Sequence, residues 1–200
     1  MKKLLIFLLV ASLPLGLGCG GGKTVTRLDT ESVTDLSGKW NDTDSRLVAE
    51  EMISDCLTRA WLTDAAAAKG GKPVVTVGTI RNLTSEHISI ETFIADFERE
   101  LINANQVRFV ASHEQRSEVR EERWEQAEFA SKETAKRLHE ELGADFLLQG
   151  AIKTIVDQEG GDRVVYYQTD LELINVESME KVWIGTKKIK KGISQGGTKW

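Results

Sequence analysis

The chain has 200 residues, 40% hydrophobic and 28% charged, enough for one domain that buries roughly 70% of its unfolded surface. Formal net charge is −5, and loss of a leader carrying Lys2 and Lys3 leaves 24 basic against 31 acidic residues, a net −7. That balance argues against nucleic acid as a partner, because such binding is driven by a basic surface that neutralises phosphates.

Lys2-Lys3, an apolar run over residues 4–13, Pro14 and then Leu15-Gly16-Leu17-Gly18-Cys19 predict a lipoprotein signal peptide over residues 1–18. Cys19 becomes the lipid-bearing first residue of the mature chain, although Gly16 stands where the usual motif prefers leucine. Residues 4–18 are only 15, short of the roughly 20 needed to span hydrocarbon, so a transmembrane anchor is disfavoured. Gly20-Gly21-Gly22 lacks the aspartate that retains such lipoproteins at the inner membrane, so the expected address is the outer membrane, facing the periplasm. Residues 19–36 show no apolar periodicity and read as a tether, which averages about 22 Å end to end and stretches to about 60 Å at most.

Residues 37–200 are expected to form a single domain. Asp42, Thr43 or Asp44 can cap a helix running to about Trp61, with Val48, Met52, Ile53, Cys56, Leu57 and Ala60 on its apolar stripe. Two cysteines in an exported chain can pair, but Cys56 on that stripe reads as a small buried hydrophobe. A loop ending at Gly70-Gly71 follows, and then residues 74–80 are β-prone throughout, as in a strand covered on both faces. Ile90, Phe93, Ile94, Phe97 and Leu101 recur at helical spacing, and residues 107–110 make a short strand. Residues 114–128 are charged enough to be an exposed helix or a mobile lid, and Ser131 caps a further helix carrying Ala135, Leu138 and Leu142.

Three β runs close the chain, over residues 146–156, 164–174 and 182–189, the first turn being Glu159-Gly160-Gly161-Asp162. Val165, Tyr167, Thr169, Leu171 and Leu173 alternate with Gln168, Asp170 and Glu172, the mark of a half-exposed antiparallel strand. The expected fold is therefore α/β (α+β), a mixed sheet of about five strands flanked by helices on one side at least.

No catalytic constellation emerges, and the chain reads as a non-enzyme without cofactor or metal. Gly192-Ile193-Ser194-Gln195-Gly196 spells a nucleophile elbow, yet the chain ends four residues later with no acid or histidine partner downstream. His113-Glu114 and His139-Glu140 lack the second histidine that would set two metal ligands on one helical face. Lys187, Lys188, Lys190 and Lys191 read as the solvated lysines of an edge strand, with Lys187 and Ile189 on one face and Lys188 and Lys190 on the other. Trp40, ahead of Asp42, Asp44 and Arg46, is either a binding hot spot or a staple that fastens the tether to the domain.

Several stretches together resemble the penicillin-binding-protein activator LpoB family: Asp35-Leu36-Ser37-Gly38-Lys39 continuing through Trp40 to Arg46, Lys72-Pro73-Val74-Val75, Arg81-Asn82, Glu86-His87-Ile88, Gly143-Ala144-Asp145-Phe146 and Val182-Trp183-Ile184-Gly185. The resemblance implies a fold similar to the N-terminal domain of TolB. It also implies a lipid-anchored, monomeric regulator that binds and stimulates a bifunctional class A penicillin-binding protein, with Trp40, Asp42, Arg46, Arg81, Asn82 and Glu86 as partner-contact candidates. Well-known enteric members carry a long proline-rich tether, whereas this one is short and lacks proline. The alternative is a structural or assembly lipoprotein of an envelope or secretion complex, which would self-associate.

Overall fold

The structure is a computed structural model that describes residues 24–129, 131 and 141–194. The leader with Cys19, and the helix expected around Ala135 and Leu138, lie outside them. Two units are distinguished, the second beginning at Val33. In the described part of the first, the Ser32 amide donates to the Asp29 carbonyl at 3.1 Å.

Asn41 starts helix α1 (Asp42–Leu57), not Asp42, Thr43 or Asp44. Its side chain accepts from the Asp44 amide at 3.1 Å while the Asp44 carboxylate accepts from the Asn41 amide at 3.0 Å, which satisfies two of the donors a helix start leaves open. The expected stripe is buried from Val48 through Leu57, Cys56 included, but Ala60 is exposed. The helix ends at Leu57, short of the expected Trp61, and a second one, α2 (Ala60–Lys69), runs on through what reads as a loop in the sequence. Its alanines favour a helix without any amphipathic stripe, so periodicity is silent over it. Gly70, at φ 69, closes it in the left-handed conformation.

Strand β1 (Val74–Leu83) is buried on both faces over its first four residues only. From a bulge between Val77 and Ile80 onward its burial is broken by exposed Thr79, Arg81 and Leu83. Helix α3 (Ile90–Asn103), capped by Ser89, buries Phe93, Phe97 and Leu101; each such side chain contributes about 2 kcal/mol of hydrophobic stabilisation. Strand β2 shrinks to Arg108–Phe109, and α4 (His113–Phe129) is a helix, the first of the two forms expected for the charged segment.

Strands β3 (Phe146–Glu159), β4 (Asp162–Asn175) and β5 (Lys181–Ser194) form an antiparallel meander. The five-stranded sheet runs β2-β1-β3-β4-β5, with β1 parallel to both β2 and β3. This is the mixed α+β sheet expected. Val165, Tyr167, Thr169, Leu171 and Leu173 are all buried, and Gln168, Asp170 and Glu172 are half-exposed. The core lies between that inner face and helices α1 and α3. Asp145 latches the meander to β1, accepting from the Val74 amide at 2.7 Å and donating its own amide to the Val74 carbonyl at 2.8 Å.

Candidate functional site

The segment ahead of α1 lies against Tyr167 of β4, whose hydroxyl is 3.4 Å from the Gly38 carbonyl, and meets Glu86 in the loop after β1. Trp40 stands edge-on to Phe93 of α3, centroids 5.9 Å apart, and to Tyr167 of β4 at 5.5 Å. Its indole Nε1 donates to Ser45 Oγ at 2.8 Å, and its amide donates to Glu86 Oε2 at 3.1 Å. The same carboxylate oxygen accepts from the Tyr167 hydroxyl at 2.8 Å, and Asn82 Nδ2 holds the Glu86 carbonyl at 2.8 Å. Trp40 thus touches three elements, α1 at Ser45, α3 at Phe93 and β4 at Tyr167.

A buried ion pair lies next to it. Lys191 Nζ is 2.6 Å from Asp44 Oδ2 and 2.6 Å from Asp35 Oδ1, and it donates to the Lys39 carbonyl at 3.1 Å. Asn41 Nδ2 also donates to Asp35 Oδ1, at 2.7 Å. The hydrogen bond from Lys191 holds the Asp35 carboxyl below its usual range. Burial works to lower Lys191, but Asp35 and Asp44 together keep it above its ordinary value. Burial first, then the Glu86 carboxylate, pushes the Tyr167 hydroxyl well up, so it stays protonated as a donor.

Two further rungs tie α1 to β5. Trp183 Nε1 donates to Asp55 Oδ2 at 2.8 Å, and Lys187 pairs with Glu51. Lys187 and Lys191 thus turn toward the helix, whereas Lys188 and Lys190 on the outer face are exposed, so the solvated reading of the run fits only half of it.

Of the six partner-contact candidates, Trp40, Asn82 and Glu86 converge in this half-buried node. Asp42 is exposed on the first turn of α1, and Arg46, one turn on, pairs with Glu50 at 3.3 Å. Arg81 is exposed on the outer face of the sheet, beside Ala151 and close enough to Glu172 to help lower its pKa. Sequence reading missed Asp35, Tyr167 and Lys191 as members of the node. The alternation of β5 carried the one available signal, since it sets Lys191 on the same side as Lys187.

The outer face carries a side-chain ladder. Gln149 and Lys181 both reach Glu172, at 2.7 and 2.5 Å, and Lys153, Gln168 and Thr186 reach Asp170 at 2.8–2.9 Å. No nucleophile is activated in these arrangements. Burial pushes the Cys56 thiol up to about 12, and Ser194 Oγ, at the end of β5, is 2.7 Å from Asp162 Oδ1. No group of His, Cys, Asp or Glu among the described residues is placed to hold a metal ion, and no helix among them is long and apolar enough to cross a membrane.

Over residues 44–189 the chain matches the family described as peptidoglycan-synthase activator LpoB. No curated protein sequence matches it. Among solved structures it is similar to the LpoB C-terminal domain from Salmonella enterica, at 16% identity over 73% of this chain and 98% of that one, with a TM-score of 0.42. The LpoB C-terminal domain from Escherichia coli is 17% identical over the same shares, with a TM-score of 0.45. Lipoprotein GNA1162 from Neisseria meningitidis is 14% identical over 63% of this chain and 88% of its own, with a TM-score of 0.40.

Proposed function

The chain belongs to the LpoB family of peptidoglycan-synthase activators, and on that premise we propose that it binds and stimulates a bifunctional class A penicillin-binding protein without catalysing a reaction itself. One observation carries this reading: the family match runs from the first turn of α1 to Ile189 in β5, so it takes in strands β1 to β4, most of β5 and the helices described between them. Regulation is by contact, with a monomeric domain anchored to the outer membrane through a lipid on Cys19 and facing the periplasm. The leader Lys2-Lys3, its apolar run and the cysteine after Gly18 support that anchor.

Within this reading, Asp42 and Arg46 offer the charged contact at the entry of α1, and Arg81 a second on the outer face. Trp40, Asn82 and Glu86 hold the entry in shape. The test is reconstitution of the full lipoprotein with a class A synthase in liposomes, following glycan polymerisation and crosslinking. Faster synthesis is expected, and the paired charge reversals Asp42→Lys and Arg46→Glu should abolish most of it while costing only about 1 kcal/mol of stability through the helix dipole and the lost Arg46–Glu50 pair. Unchanged synthesis together with self-association in sedimentation velocity would sink the activator reading in favour of an assembly role.

A further inference from the structure

Helix α4 inverts the usual amphipathic plan. Its half-buried positions include Arg116, Arg123 and Ala127, while Trp124 and Phe129 are 74% and 86% exposed. Arg116, Arg120 and Arg123 are spaced by four and then three residues, which puts three guanidinium groups on one stripe. A helix held only for stability would carry apolar side chains there.

The three arginines share one carboxylate. Arg120 Nε and Nη2 donate to the two oxygens of Glu141 at 2.7 and 2.9 Å, a bidentate fork. Arg123 Nη1 stands 3.9 Å from the nearer oxygen, and Arg116, whose Nε donates to the Ser112 carbonyl at 3.4 Å, reaches Glu141 only through its charge. Arg116 and Arg123 have no carboxylate of their own among the described residues. Beside them opens a cavity of about 170 Å³, walled in part by Val110 and Val119. On this stripe three cations face one anion, although α4 as a whole carries more glutamates than arginines.

We propose that this cleft binds an oxyanion, a phosphate or carboxylate group, which takes the place of Glu141 on the Arg120 fork and draws on the charges of Arg123 and Arg116 beside it. Guanidinium forks match the planar oxygens of such groups, and a cavity below the roughly 300 Å³ of an ordinary ligand pocket suits a single anionic group. Glu141 acts as a resident competitor whose carboxylate shows what the arginines recognise. The site is independent of the synthase reading, because it uses α4 and the residues facing it rather than the entry of α1.

The full chain, titrated at constant ionic strength with sodium phosphate and separately with sodium acetate, against sodium chloride as control, is followed through its arginine Nε–H resonances. Saturable shifts of Arg116, Arg120 and Arg123 with phosphate or acetate, and none with chloride, are expected; the anion that saturates identifies the group. Arg123→Ala should weaken binding about tenfold and Glu141→Gln should tighten it by about the same factor, since the internal competitor is gone. Arg123→Lys, which keeps the charge and loses the fork, should fall between, and far-UV circular dichroism confirms that α4 persists in each variant. Linear shifts equal to those in chloride, or affinities indifferent to both Arg123→Ala and Glu141→Gln, overturn the site.

Discussion

Lys191 decides how the entering chain is held. Its side chain is 9% exposed and that of Asp44 is 7% exposed, so neither charge has much water to fall back on. Removing one member of such a pair leaves the other stranded, which costs far more than the pair contributes as a whole. Lys191→Met should therefore lower stability by about 3 kcal/mol in urea unfolding. A loss well under 1 kcal/mol would mean that Asp44 keeps its solvation. Because Asp35 and Asp44 raise the Lys191 pKa, the contribution is complete below the ordinary lysine value and fades as pH rises through the folded one. Trp40 works differently, through aromatic area and two hydrogen bonds, and its place between Phe93 and Tyr167 explains why a tryptophan immediately precedes the cap.

At the scale of elements, the meander of β3, β4 and β5 is the framework to which everything else is tied. Helix α1 runs against β5 on three rungs, Asp55 with Trp183, Glu51 with Lys187 and Asp44 with Lys191, so strand alternation and helix pitch must agree over most of the helix. Strands β3 and β4 approach closely at Gly150, where an added Cβ would lie 2.1 Å from the Asp170 carbonyl oxygen and 2.6 Å from Leu171 Cδ2. A backbone carbonyl cannot swing aside as a side chain can. Gly150→Ala is expected to cost about 3 kcal/mol, lowering the thermal midpoint by about 9 °C. Gly71→Ala, which meets nothing within 4 Å, serves as the neutral control. Equal midpoints for the two variants would show that the meander yields at this point.

Across the whole molecule, the two faces of the sheet divide the labour. The inner face carries the core under α1 and α3, while Asp170 and Glu172 anchor the outer ladder. The hydrogen bond from Lys181 lowers the Glu172 pKa; burial alone would raise Asp170, but Lys153, Gln168 and Thr186 together hold it down. The Trp183 indole likewise lowers Asp55. A carboxyl depressed by folding contributes stability that is full above its unfolded pKa and is lost as pH falls through the folded value. Unfolding measured from neutral pH down through the carboxylate range should thus show stability falling, and Asp170→Asn should flatten that fall. An acid limb unchanged in Asp170→Asn would mean that the ladder adds nothing to folding.

Local pattern was enough to determine the mixed sheet, the buried stripes of α1 and α3, the alternation of β4 and the inert setting of Cys56, because burial repeats with the period of the element that imposes it. It also singled out the segment from Trp40 to Arg46, as a binding hot spot or as a staple for the tether. Other features had no local period to betray them. Helix α2 is alanine-rich and shows no stripe, and Asn41, itself a strong cap former, competes for the start of α1 with three further candidates beside it. The partnership of Lys191 with Asp44 joins residues 147 apart, and that of Tyr167 with Glu86 joins residues 81 apart. Whether a lysine faces water or a buried carboxylate depends on which helix lies over its strand, and only the tertiary structure decides that, because the energy of a charge is set by its surroundings rather than by its neighbours in sequence.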